Sequence, residues 1–358
     1  PSPITHHPAP SSPVPLASRL PPLASNFTLL VPEIFSSEGG IQRIMRAYLR
    51  ALAELAASPG SVRLISLNDP LIDPRQLNSL ERATLAAADG CGRSKPCLLR
   101  STLLLGRKTD HIICGHIFML PAAWLAQRLN PRLRYSLVAH GIEVWRPFNA
   151  IERVALRSAW RILCVSDFTR RELLRHCPLP EGRAVVLPNS LDPDFEIAPG
   201  RPLAACPPHI LTVSRLSPSD RYKGVEHLIE AMPAIRSAIS DARLRIVGRG
   251  SDLPRLINLA RNLGVGDAVD FLGYVDDSRL QDELRNCRLF ALPSRKEGFG
   301  LVFLEAMAHG RPCLGARAGG IPEVISPETG VLPDYGDVPA IAREAVQSLR
   351  RKIGRAHV

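Results

Sequence analysis

Short apolar runs alternate with segments of helical periodicity along the first half of the chain. The apolar runs lie at 27–35, 62–67, 111–120, 135–141, 162–166 and 184–189. Between the first two runs, one face of a predicted helix carries Ile41, Ile44, Met45, Tyr48, Leu49 and Leu52. Short strands that alternate with helices predict a parallel sheet covered by helices on both faces.

The same alternation restarts after a segment with five prolines, 191–208. Strand-like runs stand near 209–215, 244–250, 269–275, 289–294 and 312–316, with predicted helices at 225–240, 253 onward, 278–286, 301–309 and 338 onward. We therefore predict an α/β protein of two doubly wound domains facing each other across a cleft. Ligands of such sheets bind beyond the carboxyl ends of the strands.

The predicted domain limits follow from these patterns. A proline- and serine-rich leader at 1–25 is expected to be disordered or a remnant of cloning. The first domain spans 26–190, the linker 191–208 and the second domain 209–358. A length of 358 residues suits two domains of ordinary size.

Composition and charge narrow the classes of partner. The net charge is +11, which favours anionic partners such as nucleotides, phosphates or acidic lipids. Nucleic acid is not expected, because basic residues are scattered and aromatic residues make up only 5% of the chain. The eight dispersed cysteines predict reduced thiols in a cytoplasmic protein.

The stretch EGFGLVFLEAMAHG at 297–310 places two carboxylates beside a predicted apolar helix. Gly298 and Gly300 permit a tight turn, and the following helix start can bind an anion. Burying Glu305 without a partner would cost several kcal/mol, so it must face a cation or a ligand rich in hydroxyls. Glu297 is either a second ligand group or an exposed loop acid.

The segment EGFGLVFLE resembles the Glu-x7-Glu motif of glycosyltransferase family 4, a retaining group with the two-domain GT-B fold. The resemblance also rests on segments in both halves: EGGIQR (38–43), AHGIEVW (139–145), CVSDFTRREL (164–173), VLPNSLD (186–192), TVSRL…YKG (212–224), LRIVGRG (244–250), FLGYV (271–275) and HGRPCLGARAGGIPEVI (309–325). It implies transfer of a hexose from a nucleoside-diphosphate-sugar to an acceptor hydroxyl.

By this resemblance, Arg215 and Lys223 clamp the donor diphosphate, and both residues follow predicted strands. Leaving-group charge requires cations where no metal is present. Their alternative role is ordinary solvated surface charge. Glu305 is expected to hold the ribose hydroxyls, and Glu297 the hexose hydroxyls.

The remaining expected contacts also come from the resemblance. His140 meets the transferred sugar from the first domain, although a single histidine at a strand end is often structural. Gly40 opens a helix that can cradle phosphate or merely make a turn. The base, sugar and phosphate are otherwise expected to meet Gly248, Arg249, Tyr274, Val275, Phe299, Gly300, Leu301 and Val302.

No metal or other cofactor is expected, since the strand-end motifs carry no carboxylate cluster with metal spacing. The acceptor is expected to be a glycan or a lipid-linked saccharide. Residues 146–175 hold seven arginines among apolar residues, which suits either a contact with anionic membrane at its inner face or a solvated surface. Family members continue into a final helix that this chain is expected to lack.

Two other functions remain open at this point. The first is a nucleotide-sugar epimerase with the same fold, which would need no acceptor. The second is a catalytically inactive protein that only binds sugar nucleotides. The intact set of Glu297, Glu305, Arg215 and Lys223 argues against the second.

Overall fold

The structure is a computed structural model that describes residues 26–37, 39–56, 58–192, 195, 197 and 201–351. The predicted leader at 1–25 therefore lies outside the described residues. So do 352–358 and part of the predicted linker.

Within the described residues, the first half forms a sheet of seven parallel strands. The spatial order is β3-β2-β1-β4-β5-β6-β7. The strands are β1 (Phe27–Val31), β2 (Val62–Ser66), β3 (Leu85–Gly90), β4 (His111–Cys114), β5 (Arg134–Ala139), β6 (Arg161–Cys164) and β7 (Ala184–Val186). The connecting helices are α1 (Gly40–Leu55), α2 (Ser79–Thr84), α3 (Lys95–Gly106), α4 (Leu120–Leu129), α5 (Ala150–Ser158) and α6 (Asp167–His176).

The second half forms another parallel sheet, of six strands in the described part, with the order β10-β9-β8-β11-β12-β13. Its strands are β8 (His209–Val213), β9 (Arg243–Val247), β10 (Val269–Gly273), β11 (Leu289–Ala291), β12 (Cys313–Leu314) and β13 (Gly330–Val331). Its helices are α7 (Val225–Ala238), α8 (Leu253–Asn262), α9 (Asp277–Asn286), α10 (Leu301–Ala308) and α11 (Val338–Arg350). One doubly wound sheet precedes the predicted linker in the sequence and the other follows it. The limits of the linker stay a prediction.

Both faces of each sheet are buried, as the continuous apolar runs predict. Leu29 and Leu30 are neighbours in β1, yet they pack into apolar clusters on opposite faces of the first sheet. Ile210 and Leu211 of β8 divide in the same way between two clusters of the second sheet. Side chains alternate along a strand, so a strand covered on both faces must be apolar throughout.

Several elements differ from the sequence prediction. The apolar run at 111–120 is a strand only to Cys114, because His116 starts a 3-10 turn and α4 begins at Leu120. The run at 27–35 ends at Val31, just before Pro32, which cannot donate a ladder hydrogen bond. The elements α2, β3, α3 and β13 were not predicted. The buried positions of α3 are Leu98, Thr102 and Gly106, of which only the first is a large apolar residue, so the apolar periodicity of this helix is weak.

Candidate functional site

The predicted site residues lie where strands of the two sheets end. His140 directly follows β5 of the first sheet. In the second sheet, Arg215 follows β8, Gly248 follows β9, Tyr274 follows β10, and Glu297 belongs to the loop after β11. Contacts between the two sets, described below, bring the two carboxyl edges together around one cleft, as expected for this architecture.

The glycine turn before α10 lies at the contact between the two domains. Gly300 has a φ of 90° and precedes the helix, and Phe299 is buried beside it. Among the described residues, no side chain caps the start of α10. Leu301 packs against the first-domain cluster that contains Ile34 and Met45. The uncapped N–H groups of the first turn, which include that of Val302, therefore belong to a helix start at the domain interface.

Lys223 and Glu297 form an ion pair with an Nζ–Oε2 distance of 2.5 Å. Both side chains are about four-fifths buried. The residue predicted to bind the diphosphate thus contacts the residue predicted to bind the hexose. The structure places these two groups together, and their separate ligand roles stay predictions.

Arg215 belongs to the same charged cluster, although its side chain is 78% exposed. Its Nη2 lies 3.0 Å from Oδ1 of the buried Asp220, and the Tyr222 hydroxyl lies 3.3 Å from the same oxygen. The Lys223 ammonium stands 5.5 Å from the Tyr222 ring centre. Burial raises the pKa of Tyr222, which Lys223 and Arg215 oppose and the nearby carboxylates reinforce. Tyr222 therefore lies between the two predicted diphosphate ligands.

Glu305 is 4% exposed and pairs with a residue of the other domain. Its Oε1 lies 2.6 Å from Nη1 of Arg43, and Nη2 of Arg43 lies 2.6 Å from Oδ1 of Asp277. Burial raises the pKa of Glu305, while the charge and hydrogen bond of Arg43 oppose that rise. Of the two partners that the sequence allowed for this buried acid, the structure shows the cation.

Two further contacts join the domains. A Cβ atom added at Gly298 would lie 1.8 Å from the carbonyl oxygen of His140, so only glycine permits this approach. On another side, Glu323 accepts hydrogen bonds of 2.6 and 2.7 Å from the backbone N–H groups of Asp167 and Phe168, at the start of α6. A carboxylate at a helix start is electrostatically favourable. These contacts describe a closed cleft.

His140 is largely buried and neutral at physiological pH. Its Nε2 lies 3.1 Å from the carbonyl oxygen of Gly115, so Nε2 carries the proton and Nδ1 is the acceptor nitrogen. Burial lowers the pKa of His140 to about 4, and this hydrogen bond only partly offsets the shift. The backbone N–H of His140 donates to Glu143. A neutral, oriented imidazole suits hydrogen bonding better than proton transfer near pH 7.

The strand ends proposed for the nucleoside base are tightly interlocked. A Cβ atom at Gly248 would lie 1.8 Å from the carbonyl oxygen of Ser214, and the Gly248 N–H donates to Gly273. The Arg249 guanidinium stands 5.1 Å from the ring centre of Tyr274, and both side chains are exposed. These two form an accessible cation–π pair beside the turn.

Val275 and Gly40 occupy different surroundings. Val275 packs against the cluster around Phe290 and Phe303, so its side chain serves the core of the second domain. Gly40 opens α1, and a Cβ atom there would meet nothing within 4 Å. The loop before α1 is held by buried Asp69, whose carboxylate accepts from the N–H groups of 34, 35 and 36.

Sequence reasoning missed several groups at the cleft, namely Arg43, Asp220, Tyr222, Asp277 and Glu323. Arg43 and Glu323 do lie in the quoted segments EGGIQR and HGRPCLGARAGGIPEVI, but their partners are in the other domain. Among residues 26–351 as far as they are described, no group of three histidine, cysteine or acidic side chains is arranged to hold a metal ion. In that same part of the chain, no helix has the length and apolar character needed to cross a bilayer.

Two family models match the chain on either side of the predicted linker. The model described as "Glycosyltransferase Family 4" matches residues 38–195, and "Glycosyl transferases group 1" matches residues 207–351. Together they account for most of the chain. These matches confirm the expected resemblance to glycosyltransferase family 4.

Curated relatives of this chain carry transferase or synthase names. It is 42% identical over 131 residues to N-acetyl-alpha-D-glucosaminyl L-malate synthase of Bacillus anthracis, covering 36% of this chain and 34% of that protein. It is 34% identical over 244 residues to a GDP-mannose-dependent alpha-(1-6)-phosphatidylinositol monomannoside mannosyltransferase of Mycolicibacterium smegmatis, covering 61% of each. The matches thus span less than two thirds of these relatives.

A solved structure confirms the fold. Anabaena Alr3699/HepE, in complex with UDP and glucose, has a TM-score of 0.72 and 20% sequence identity, and the match covers 93% of this glycosyltransferase and 92% of that chain. The predicted GT-B architecture of two facing parallel sheets is therefore correct. The ligand-binding roles of the individual site residues stay predictions.

Proposed function

We propose that this glycosyltransferase moves a hexose from a nucleoside-diphosphate-sugar to an acceptor hydroxyl and retains the anomeric configuration. The observation that carries the proposal is the Lys223–Glu297 pair beside the glycine turn and the start of α10. It brings a cation from a second loop together with a carboxylate and backbone N–H groups of the glycine turn. Such a set matches a ligand that has phosphate next to hydroxyl groups.

Each part has a role in the proposed reaction. The anomeric carbon gains positive character as the diphosphate leaves, and negative charge grows on the phosphate. Lys223, Arg215 and the start of α10 stabilise that charge as preorganised groups. Glu297 orients the hexose hydroxyls, and Glu305 receives the ribose hydroxyls when Arg43 releases it. We propose that the acceptor hydroxyl attacks the same face and that the departing phosphate takes its proton.

The closed cleft supports transfer to an acceptor rather than to water. Gly298 meets the His140 carbonyl, and Glu323 accepts hydrogen bonds from the start of α6, so the two domains contact each other at two separate places. A closed cleft excludes water and limits hydrolysis of the donor. Neutral His140 would then orient the transferred sugar by hydrogen bonding. The charge balance on the diphosphate is proposed to need no metal.

A membrane-bound acceptor is part of the proposal. The M. smegmatis relative is named for a phosphatidylinositol monomannoside acceptor. Within the predicted arginine-rich segment, the solvent side of α5 exposes Ile151, Arg153, Val154 and Arg157, with exposed Trp160 just beyond. Basic and apolar groups on one surface suit the interface of an anionic bilayer. We therefore place the enzyme at the cytoplasmic face of a membrane.

The test begins with a panel of nucleoside-diphosphate-sugars screened for thermal stabilisation, because a ligand that binds only the folded protein raises its melting temperature. The donor identified in this way is assayed for nucleotide release with candidate acceptors, and NMR reports the anomeric configuration of the product. Lys223→Ala is expected to reduce turnover about 100-fold, as removal of a preorganised charge-stabilising group does. Glu297→Gln is expected to reduce both turnover and discrimination between hexoses.

The outcomes separate the alternatives. An inverted product would overturn the stereochemical part of the proposal. Turnover of Lys223→Ala within twofold of the native protein would remove Lys223 from the reaction. Arg236→Ala is the matched control, because Arg236 pairs with Asp267 on the surface away from these loops and should leave turnover unchanged.

A further inference from the structure

A groove of about 700 Å³ lies on the first domain and is lined almost entirely by apolar side chains. It runs between α3 and α4 and reaches Leu67 at the end of β2. Its walls include Leu98, Leu99, Phe118, Trp124 and Leu125. Its size is in the range of small-molecule sites, which are also mostly apolar.

Part of this lining is exposed although it is large and apolar. Leu99, Phe118 and Ile151 each keep more than a third of their surface in contact with solvent. Contiguous exposed apolar surface is unfavourable in water and marks a place where a partner or ligand binds. A local packing defect in the core would not expose large apolar side chains to solvent on three different elements.

The groove is connected to the predicted reaction centre. The ring of Phe118 lies 4.4 Å from the ring of His116, measured between centres. His116 directly follows Gly115, whose carbonyl oxygen lies 3.1 Å from Nε2 of His140. Through Phe118 and His116, the groove therefore adjoins the backbone that contacts His140. Both are on the domain opposite the predicted donor residues, where an acceptor must approach.

The charges around the groove have one sign. Lys95 is the one charged side chain among its lining residues, as far as the chain is described. Arg100 on α3 and Arg153 on α5 are exposed and lie within two residues of groove-lining positions. Glu152 of α5, by contrast, is buried and forms an ion pair with Arg146. A hydrocarbon chain carrying an anionic head group would match this pattern. A purely saccharide ligand would need hydrogen-bonding side chains that these walls do not supply.

We propose that this groove, lined by Leu98, Leu99, Phe118, Trp124, Leu125 and Lys95, binds the hydrocarbon chain of an anionic amphiphilic acceptor. Lys95 would contact the head group, and the acceptor hydroxyl would extend past His116 toward His140. This inference rests on the proposed transferase function for the identity of the ligand as an acceptor. The binding itself is measurable without any donor.

The test uses dodecyl phosphate below its micelle concentration as the probe, with titration calorimetry as the readout. One saturable site is expected, and inorganic phosphate is not expected to compete. Leu99→Gln and Phe118→Gln should each weaken binding about tenfold, since burial of a large apolar side chain contributes about 1.5 kcal/mol or more. Both positions are partly exposed, so the polar side chain is expected to be tolerated in the folded protein.

Leu104→Gln is the matched control. Leu104 and Leu99 are both exposed leucines of α3, at 50% and 38%, but only Leu99 lines the groove. Equal weakening by Leu104→Gln, or no saturable binding to the native protein, would overturn the proposal. Conversion of a dimer to a monomer by Leu99→Gln, seen by sedimentation velocity, would also overturn it, because a second copy would then cover the groove.

The two proposals can fail separately. Saturable binding of dodecyl phosphate without sugar transfer to any acceptor would leave the groove in place and contradict the proposed function. Full sugar-transfer activity in Leu99→Gln and Phe118→Gln, together with no binding of dodecyl phosphate, would support the proposed function and contradict the groove proposal.

Discussion

The two domains meet the cleft with different chemistry. The second domain contributes charged side chains that are paired with neighbours of the same domain, as Lys223 is with Glu297 and Arg215 with Asp220. The first domain contributes a half-buried neutral imidazole, His140, and exposed apolar surface. Two contacts cross between the domains instead: Arg43 pairs with Glu305, and Glu323 accepts hydrogen bonds from the start of α6.

This difference indicates a division of labour. Charges held by short local pairs are preorganised, so the second domain can stabilise a leaving diphosphate without rearrangement. Neutral and apolar groups stabilise little charge but exclude water and orient the acceptor side. The contact between the domains should therefore matter for turnover more than for the stability of either domain.

Two glycines offer the sharpest test of that distinction. A Cβ atom at either Gly298 or Gly248 would lie 1.8 Å from a backbone carbonyl oxygen. At Gly298 the oxygen belongs to His140 in the other domain, so opening the cleft relieves the clash. At Gly248 it belongs to Ser214 in the same domain, and the φ of 141° adds strain for any other residue.

We expect Gly298→Ala to lower turnover about 100-fold with little change in melting temperature, because misplacement of reacting groups by about 1 Å can have that effect. Gly248→Ala should instead lower the melting temperature by several degrees. Thermal unfolding and steady-state turnover measure both effects. Equal melting temperatures for the two variants would contradict the assignment of one contact to the interface and the other to a domain interior.

The Arg43 pair gives a smaller effect that also crosses the interface. Arg43 and the ribose hydroxyls are proposed to bind the same buried carboxylate of Glu305. Arg43→Gln should therefore tighten the binding of a nucleoside diphosphate about fivefold, since a competitor for that carboxylate is removed. Asp277→Asn should have a weaker effect in the same direction, because Asp277 only holds the far side of the guanidinium.

Titration calorimetry with UDP and GDP measures this change, and Glu305→Gln serves as the opposite control by weakening binding. If Arg43→Gln weakened nucleotide binding as Glu305→Gln does, the guanidinium would be a ligand group rather than a competitor. The competition would then have to be abandoned.

The second domain was the easier one to predict from sequence. Its strands β8 to β12, the glycine turn and the helix from Leu301 follow from local patterns, because each lies within a few residues of its structural cause. The sequence also indicated that Glu305 needs a partner, because a carboxylate within an apolar helix is expected to be buried. The sequence did not indicate the identity of that partner, since Arg43 is 262 residues away and carries no local sign of the pair.

Other missed features have related causes. The sequence shows Glu323 within an ordinary PEVI segment, and only the closed arrangement brings it to the start of α6. The apolar groove could not be predicted because its lining residues come from three elements that are separated in sequence. The Gly298 contact is a tertiary approach between backbones, which residue types indicate only as a preference for glycine.

The acid response of the first domain depends on partly buried histidines. Burial lowers the pKa of His111 to about 4, as it does for His140, against 6.5 for the free side chain. The unfolded chain binds these protons more readily. Stability contributed by the neutral forms is therefore complete above pH 6.5 and is lost as the pH falls toward 4. By contrast, Arg255 and Arg221 lower the pKa of Asp252 in the second domain to about 2, so its contribution persists to lower pH.

His111→Gln separates the two contributions, because glutamine can keep a hydrogen bond to Ser136 without gaining a proton. For one such histidine, the loss between pH 7 and pH 5 is about 2 kcal/mol. Urea unfolding at both pH values should show that the variant loses less stability on acidification than the native protein. An equal loss of stability in both proteins would mean that His111 is protonated in the folded state at pH 5. The contrast between a neutral first domain and a charged second domain would then not extend to His111.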